Sequence, residues 1–293
     1  MNITAQIQGG LGNQLFQYAT GRALSNRLKR TLKLDLDWFN HAWEDVTPRE
    51  FLLAEMNTHF QVSSVSPHIK KPKWWRRIAQ DAFPLSPYVI YEKPFHFIQQ
   101  LNTFQPYANQ DIYLMGHWQS FHYFDSIRQE LIQEITPRAR LSTHYQSYLD
   151  KIEQTTSAMV HIRRGDYVHL PVAAKVHGFL GLEYYQQGMD LLLNSDPDVR
   201  FFVFTDDHDW AKANLPHQNK ITFIKSTVEK SAPVEELFLM TKCKKHLIAN
   251  SSLSWWGAWL NASPNPQVIA PKQWTNDLET SWNNLLPSAW IKI

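Results

Sequence analysis

The chain opens on a strand, a glycine loop, a helix and a second strand. Apolar and polar residues alternate from Ile3 to Gln8, which predicts a β-strand, and a glycine cluster at residues 9–12 follows. Apolar residues then recur at helical spacing, which predicts a helix from Gln14 to about Arg30 and a strand from Thr31 to Leu36. This order is typical of a βαβ unit and makes the glycine cluster a candidate ligand-binding loop.

Strands and helices also alternate through the second half of the chain. The predicted strands are 157–164, 200–207, 220–225 and 245–252, and the predicted helices are 182–195, a short one around Trp210, 233–244 and one from 253 onward. This alternation favours an α/β fold with a mainly parallel sheet.

The first half is harder to interpret beyond residue 40. Seven prolines interrupt the pattern before residue 110, and a short strand (111–116) and a helix (126–135) follow. We place a domain boundary near residue 150. This gives an N-terminal lobe, 1–150, and a C-terminal lobe, 151–293, with the last helix of the chain a candidate to pack back on the first lobe.

Composition excludes several classes of protein. The 293 residues carry a formal net charge of +2, so no strongly basic surface points to nucleic acid. One cysteine, Cys243, excludes an internal disulfide framework and fits a reducing compartment. The sequence shows neither a signal-peptide pattern nor an apolar run of about 18 residues, so we expect a cytoplasmic protein.

Polar clusters stand at the ends of three predicted strands: "HIRRGDY" (161–167), "FTDD" (204–207) and "ANSSLSWW" (249–256). In an open parallel sheet, ligands bind beyond the carboxyl ends of the strands. Strand alternation places His161 and Arg163 on one face, and the planar, permanently charged guanidinium of Arg163 suits a diphosphate.

The other two clusters extend the same site. Ser251 and Ser252 come at the start of a predicted helix, where free N–H groups and the helix dipole favour a phosphate. Asp206 is placed to meet a base edge or a ribose hydroxyl. The sequence contains no P-loop or HExxH motif, and we assign no DxD triplet to a bridging metal. The clusters therefore predict a pocket for a nucleoside diphosphate that relies on Arg163 and backbone amides.

Each cluster also has a structural interpretation when taken alone. The adjacent arginines can form a salt-bridged pair, the adjacent aspartates a helix N-cap, and the serines an ordinary helix start. Trp255, Trp256 and Trp259 have the spacing of residues that pack into a core. The shared position of the three polar clusters at strand ends is what favours a binding site.

The motifs resemble those of bacterial and animal α-1,2-fucosyltransferases. They are "GGLGNQLFQYA", "GHWQSFHYF", "HIRRGDY", "FTDD" and "NSSLSWWGAWLN", in matching order and spacing from about Ile7 to Asn261. The resemblance implies an α/β, GT-B-like fold of two Rossmann-like lobes with a ligand cleft between them. Two positions depart from the family pattern: His117 stands where a tyrosine is expected, and Leu253 replaces the usual phenylalanine.

The resemblance also implies the reaction. GDP-L-fucose is the expected donor, and L-fucose is expected to pass with inversion to O2 of a terminal β-galactoside. Lactose, N-acetyllactosamine and a lipid-linked polysaccharide repeat unit are all candidate acceptors. Neither a metal nor another cofactor is expected.

Motif position assigns roles to individual residues. In the C-terminal lobe, His161 and Asp206 would contact guanine or ribose, Arg163 the β-phosphate, and Ser251 and Ser252 the pyrophosphate.

In the N-terminal lobe, Gly10 and Gly12 would let the backbone approach the donor closely. Asn13, with Gln14 beside it, would face the fucose. The general base is left open between Asp166, which follows the arginine pair, and a histidine or carboxylate of the N-terminal lobe.

Residues 68–77, "HIKKPKWWRR", form a basic and aromatic cluster. One interpretation is a solvated face whose tryptophans cover the core. The other is a docking surface for the anionic inner face of a membrane, where a lipid-linked acceptor would be found.

Two other functions remain open on sequence alone. An NAD(P)-dependent oxidoreductase would explain the βαβ start, with Asp35 or Asp37 after the second strand, but Leu15 stands where the third small residue of GxGxxG belongs. A non-catalytic carbohydrate-binding protein would explain the aromatic residues, but not three anion-binding strand ends.

Overall fold

A computed structural model describes residues 1–41, 47–64, 87–92, 97–105, 110–165, 178, 180–264, 266–276 and 282–293. The chain divides into two compact units, Met1–Glu134 and Ile135–Ile293. The division falls earlier than residue 150 because the segment between the two positions holds a helix, Thr143–Glu153, that packs within the second unit. No helix in the described residues is long and apolar enough to cross a membrane.

The first unit is a parallel sheet with one long helix. Its strands are β1 (Asn2–Gln6), β2 (Thr31–Asp35), β3 (Gln61–Val62), β4 (Tyr88–Tyr91) and β5 (Ile112–Met115), in the order β3-β2-β1-β5-β4. All four pairings of adjacent strands are parallel. The helices are α1 (Leu11–Leu28) and the short α2 (Arg128–Glu134).

Helix α1 begins inside the glycine loop, three residues before the predicted start at Gln14, with Gly10 as its N-cap. It is buried on most sides through its first half, so the stripe predicted from Leu15, Ala19 and Ala23 is only part of its buried surface. Lys29 adopts a left-handed conformation and ends the helix. The glycine loop is therefore also the first turn of α1.

The second unit is a six-stranded parallel sheet with helices. Its strands are β6 (Ser157–Ile162), β7 (Arg200–Thr205), β8 (Ile221–Phe223), β9 (Lys245–Leu247), β10 (Gln267–Ala270) and β11 (Ile291–Lys292), in the order β11-β10-β9-β6-β7-β8. The helices are α3 (Thr143–Glu153), α4 (Leu182–Ser195), α5 (His208–Asn214), α6 (Ala232–Lys242) and α7 (Ser252–Trp259).

Most predicted elements of the second unit are confirmed, α4 with both of its ends. Trp255, Trp256 and Trp259 are buried, as the core interpretation predicted, and Trp255 Nε1 donates to Leu285 O at 2.7 Å. Residues 282–293 form a 3₁₀ turn and β11, which extends the second unit's own sheet beside β10. No helix is found in those residues.

Candidate functional site

The three polar clusters of the second unit meet at one edge of its sheet. Strands β9, β6 and β7 are consecutive neighbours, and all of their pairings are parallel. Their carboxyl ends therefore lie side by side, and the segments 161–165, 204–207 and 249–256 all leave the sheet there. The predicted convergence of the three strand ends is confirmed.

Arg163 and Asp206 form an ion pair across β6 and β7. Arg163 Nη1 lies 2.8 Å from Asp206 Oδ2, and the Arg164 backbone N–H donates to Asp206 Oδ1, also at 2.8 Å. A Cβ on Gly165 would lie 3.0 Å from Asp206 Oδ2, so the glycine permits this close approach. Asp206, predicted to contact guanine or ribose, is engaged here in holding Arg163 and the chain after β6.

Arg164 and Asp207 form a second, separate pair. Arg164 Nε lies 3.2 Å from Asp207 Oδ2, and the Arg164 guanidinium carbon lies 4.2 Å from the centre of the Trp210 ring. Asp207 Oδ1 also accepts from the Trp210 backbone N–H at 3.1 Å, so Asp207 is the N-cap of α5. The structural interpretations, a salt-bridged arginine and an N-cap aspartate, therefore hold for this pair.

His161 is buried beside the first pair. It is 5% exposed, and its Nδ1 has no hydrogen-bond partner within the described residues. Burial, and secondly the positive charge of Arg163, lower the pKa of His161 to about 4. The ring is therefore neutral at neutral pH and offers one N–H donor and one acceptor.

Helix α7 begins at the third strand end. Ser251 is its N-cap, with an extended backbone and no hydrogen bond from its hydroxyl to the helix. Ser251 and Ser252 are half-buried, whereas Asn250 is buried and donates to Trp274 O at 3.4 Å. The N–H groups of the first turn have no acceptor inside the helix, which leaves this terminus suited to an anion.

The glycine loop of the first unit positions Asn13. Gly9 has a φ of +77°, and a Cβ there would lie 3.0 Å from Asn13 Nδ2, so residue 9 needs a glycine for two reasons. Gly10 caps α1 through its carbonyl, which accepts from Asn13 N at 2.9 Å, and Gly12 lies buried in the first turn. Sequence reasoning singled out Gly10 and Gly12 and did not identify the requirement at Gly9.

Gln14 does not reach toward a ligand, so that prediction is wrong. It is fully buried, and its Nε2 donates to the carbonyls of Gly9 and Glu50 at 2.9 and 2.7 Å. Its Oε1 accepts from Leu52 N at 3.0 Å. The side chain is thus used in joining the glycine loop to the following segment.

A second segment of the first unit meets Asn13. Gln119, in the loop after β5, donates from Nε2 to Asn13 Oδ1 at 2.9 Å. Behind it, the buried carboxyl of Glu92 accepts from the Trp118 backbone N–H. Sequence reasoning quoted the motif that contains Gln119 without giving this residue a role, and it missed Glu92. Glu92 directly follows β4, a strand that was not predicted because prolines interrupt the sequence pattern around it.

Two predictions fall outside the described residues: Asp166 as a candidate base, and the basic and aromatic cluster at 68–77. Within the described part of the chain, no group of three His, Cys, Asp or Glu side chains is arranged to hold a metal ion.

Comparison with known proteins identifies the family. The family model described as glycosyl transferase family 11 matches residues 2–293. The chain belongs to glycosyltransferase family 11. An alpha-1,2-colitosyltransferase of Escherichia coli is 33% identical, covering 99% of this chain and 98% of its own. WbnK of Escherichia coli, an O-antigen biosynthesis glycosyltransferase, is 32% identical over 98% and 99% of the two chains.

Animal members of glycosyltransferase family 11 are more distant. The human galactoside alpha-(1,2)-fucosyltransferase 1 is 23% identical, covering 88% of this chain and 65% of its own length. The predicted resemblance to bacterial and animal α-1,2-fucosyltransferases is therefore confirmed.

The oxidoreductase alternative would use Asp35 for a ribose. Asp35 is buried and accepts from the Tyr113 hydroxyl at 2.7 Å.

Solved structures agree with the fold of this family 11 protein. A variant of Arabidopsis thaliana FUT1 in complex with GDP superposes with a TM-score of 0.50 at 9% identity, covering 95% of this chain and 72% of its own. The α/β, GT-B-like fold class, with a parallel sheet in each of two units, is confirmed.

Proposed function

We propose that this family 11 glycosyltransferase moves L-fucose from GDP-L-fucose to O2 of a terminal galactose, with inversion, to form an α-1,2 linkage. The observation that carries the proposal is the position of Arg163 at the carboxyl end of central strand β6, between the ends of β7 and β9. A guanidinium and an open helix N-terminus on adjacent strand ends suit the two phosphates of a sugar nucleotide.

In the proposed reaction, the galactose O2 attacks the anomeric carbon of fucose from the face opposite GDP. The transition state is oxocarbenium-like, so negative charge grows on the departing β-phosphate. Arg163 and the amides at the start of α7 stabilise that charge. A guanidinium has five N–H donors, so the contact to Asp206 does not exhaust the capacity of Arg163.

The remaining residues hold the donor. Neutral His161 can both donate to and accept from a base edge or a ribose hydroxyl, because its pKa lies near 4. Ser251 and Ser252 add hydroxyls at the pyrophosphate, and Asn13 faces the transferred sugar. The proton of the attacking hydroxyl passes to a general base, for which Asp166 remains a candidate.

A second donor is favoured by one observation. The Escherichia coli relative at 33% identity is an alpha-1,2-colitosyltransferase, whereas the human fucosyltransferase is 23% identical. Colitose is fucose without the hydroxyl at C3, so the same phosphate and nucleotide contacts would serve both donors. GDP-colitose is therefore the alternative donor.

The acceptor is proposed from the relatives. WbnK is an O-antigen biosynthesis glycosyltransferase, which favours a galactose in a polysaccharide repeat unit. Lactose and N-acetyllactosamine offer the same terminal β-galactose and serve as simple test acceptors.

One experiment tests the proposal. The protein is incubated with GDP-fucose or GDP-colitose and with lactose, N-acetyllactosamine or a β1,3-linked galactoside, and product linkage is read by NMR. We expect an α-1,2-linked product from at least one of the two donors, and strong loss of that product with Arg163→Ala. Transfer from a different nucleotide sugar, with none from either GDP-sugar, would overturn the proposal.

A further inference from the structure

The Asn13 amide is held from one side only. Gln119 Nε2 donates to Asn13 Oδ1 at 2.9 Å, so the oxygen of that amide is engaged within the protein. Asn13 is half-buried, and its Nδ2 makes no hydrogen bond in the described part of the chain. The N–H side of the amide is therefore the side left for a ligand.

Gln119 is itself placed by a strained neighbour. Trp118 is fully buried and has a φ of +58°, a left-handed conformation that a bulky residue rarely adopts. Such a conformation is unfavourable for a bulky residue and persists only where the surroundings impose it. The left-handed turn at Trp118 determines the direction in which the chain delivers Gln119.

Glu92 holds the backbone of this turn. Its side chain accepts from the Trp118 backbone N–H, and it also forms hydrogen bonds with the His117 backbone and the Tyr123 hydroxyl. Glu92 is 2% exposed, so these contacts are shielded from water. Gly116 lets the two strand ends come this close, because a Cβ there would lie 2.7 Å from Glu92 Cβ.

Gln17 ties the same turn to the glycine loop. Its Nε2 donates to Gly116 O at 3.3 Å, and its Oε1 accepts from Gln8 N at 2.9 Å. Gln17 is fully buried on α1, one turn after Asn13. The two segments that meet at Asn13 are thus fixed to each other a second time, by a contact that does not involve Asn13.

We infer that Glu92 and Gln119 are positioning residues that act through Asn13: they fix its amide so that its N–H side, and not its oxygen, is the side offered to the transferred sugar. This inference rests on the proposed function, since Asn13 is assigned to the sugar there. It gives Asn13 the role of a hydrogen-bond donor and leaves the proton of the attacking hydroxyl to another group. Its ligand is an oxygen of the sugar that accepts a hydrogen bond.

Gln119→Glu tests the orientation directly. A carboxylate at residue 119 can only accept, so it turns the Asn13 amide around and presents Oδ1 to the sugar. We expect kcat to fall about tenfold, the value of one hydrogen bond, with GDP affinity and the donor KM within about twofold of wild type. Gln119→Leu removes the hydrogen bond to Asn13 without adding a charge, so it should lower kcat by less than Gln119→Glu does.

The Asn13→Ala background supplies the decisive comparison. Asn13→Ala should itself cost about tenfold in kcat, and adding Gln119→Glu to it should cost nothing further. Gln187→Glu, a matched change at an exposed glutamine of α4, should leave kcat unchanged. Additive losses in the double variant would show that Gln119 does not act through Asn13 and would overturn the inference.

Glu92 is tested by rescue. Glu92→Gln keeps an acceptor for the Trp118 N–H and should retain kcat within about threefold, whereas Glu92→Leu should lose as much as Gln119→Glu. Glu92→Leu should have no effect on kcat when Asn13 is already alanine. Equal kcat values for Glu92→Gln and Glu92→Leu would remove Glu92 from the inference. If the wild-type protein transfers neither fucose nor colitose, the proposed function fails instead, so the two failures are distinguishable.

Discussion

Arg163 Nη1 and Asp206 Oδ2 lie 2.8 Å apart and join the ends of β6 and β7. The next residue of each strand end forms the second pair, Arg164 with Asp207, which Trp210 covers on one side. Two adjacent arginines thus have different tasks. Arg163 stands at the meeting point of the three strand ends, and Arg164 anchors the start of α5.

Replacement of Arg163 should affect the chemical step. Arg163→Ala removes the charge that we propose meets the departing phosphate, so kcat should fall by roughly 10²–10³, by analogy with the loss of one oxyanion donor. Arg163→Lys keeps the charge without the planar fork and should recover only part of this loss. Turnover is measured at saturating donor.

The control for Arg163 is Arg200→Ala. Arg200 is exposed at the opposite, amino end of β7 and donates to Asn219 O. It should keep wild-type kcat. A near-normal kcat for Arg163→Ala would contradict the assignment of Arg163 to the β-phosphate.

Asp206→Asn separates binding from catalysis. The amide oxygen can still accept from the Arg164 N–H, but the negative charge beside the proposed phosphate site is lost. GDP should bind at least as tightly as to wild type, because repulsion is removed, while kcat falls about tenfold because Arg163 is less firmly held. Calorimetry measures the affinity for GDP, and steady-state kinetics measure kcat. Weaker GDP binding would instead indicate that Asp206 contacts the nucleotide, as first predicted from the motif.

Arg164→Ala should act on stability. It removes the ion pair with Asp207 and the stacking on Trp210, which together are worth about 1–2 kcal/mol at a partly buried site. The thermal midpoint should fall by a few degrees, with kcat and GDP affinity near wild type at low temperature. A large loss of kcat in a folded Arg164→Ala protein would show that both arginines serve the reaction.

The sequence was most informative where a local pattern and the tertiary fold agree. Helix α4 was predicted with both ends because its apolar spacing is regular and a turn segment follows it. Strand β4 was missed because it is a four-residue strand among prolines, and α3 was missed although Ser142 is its N-cap and accepts from Tyr145 N. Short elements depend on contacts that a single sequence does not display.

In the candidate site, too, the local features were predictable from the sequence and the long-range contacts were not. Polar residues directly follow each of these strands in the sequence, so the convergence of the ends of β6, β7 and β9 was predictable. The partners within the site were not, because Arg163–Asp206 and Gln119–Asn13 are contacts between residues far apart in the chain. Gln14 was misassigned because nothing local distinguishes a ligand-facing glutamine from one that satisfies buried backbone groups.

His161 should make stability fall in mild acid. Its pKa is about 4 when folded, lowered mainly by burial from an ordinary value near 6.5, so the unfolded chain binds the extra proton first. The contribution of neutral His161 to the free energy of unfolding is therefore present above pH 6.5 and is lost as the pH falls toward 4. The free energy of unfolding changes by up to about 1.4 kcal/mol per pH unit in this range.

The measurement is a comparison with His161→Gln, which cannot take up that proton. Urea unfolding from pH 7 to pH 4 should show a steeper loss of stability for the wild type than for the variant. His246, buried with a pKa lowered to about 4 in the same unit, is present in both proteins and cancels in the difference. Parallel curves would show that His161 is not buried as a neutral ring.

Glu92 should have the opposite dependence on pH. Burial raises the pKa of its carboxyl to about 8, so the folded protein holds a proton that the unfolded chain releases above about pH 4.5. The groups that face it are the Tyr123 hydroxyl, whose pKa burial also raises, and the backbone N–H groups of His117 and Trp118. Only Glu92 among them titrates between pH 5 and pH 8.

Stability from Glu92 is therefore fully present below pH 4.5 and is lost as the pH rises toward 8. Hydrogen exchange at the backbone amides of β5 should show protection falling with pH in the wild type relative to Glu92→Gln, compared at each pH. Glu153→Gln, at an exposed glutamate in α3, should match the wild type throughout. A constant ratio of protection between wild type and Glu92→Gln from pH 5 to pH 8 would contradict this prediction. It would show that Glu92 is ionised in the folded protein and accepts from the Trp118 N–H as a charged carboxylate.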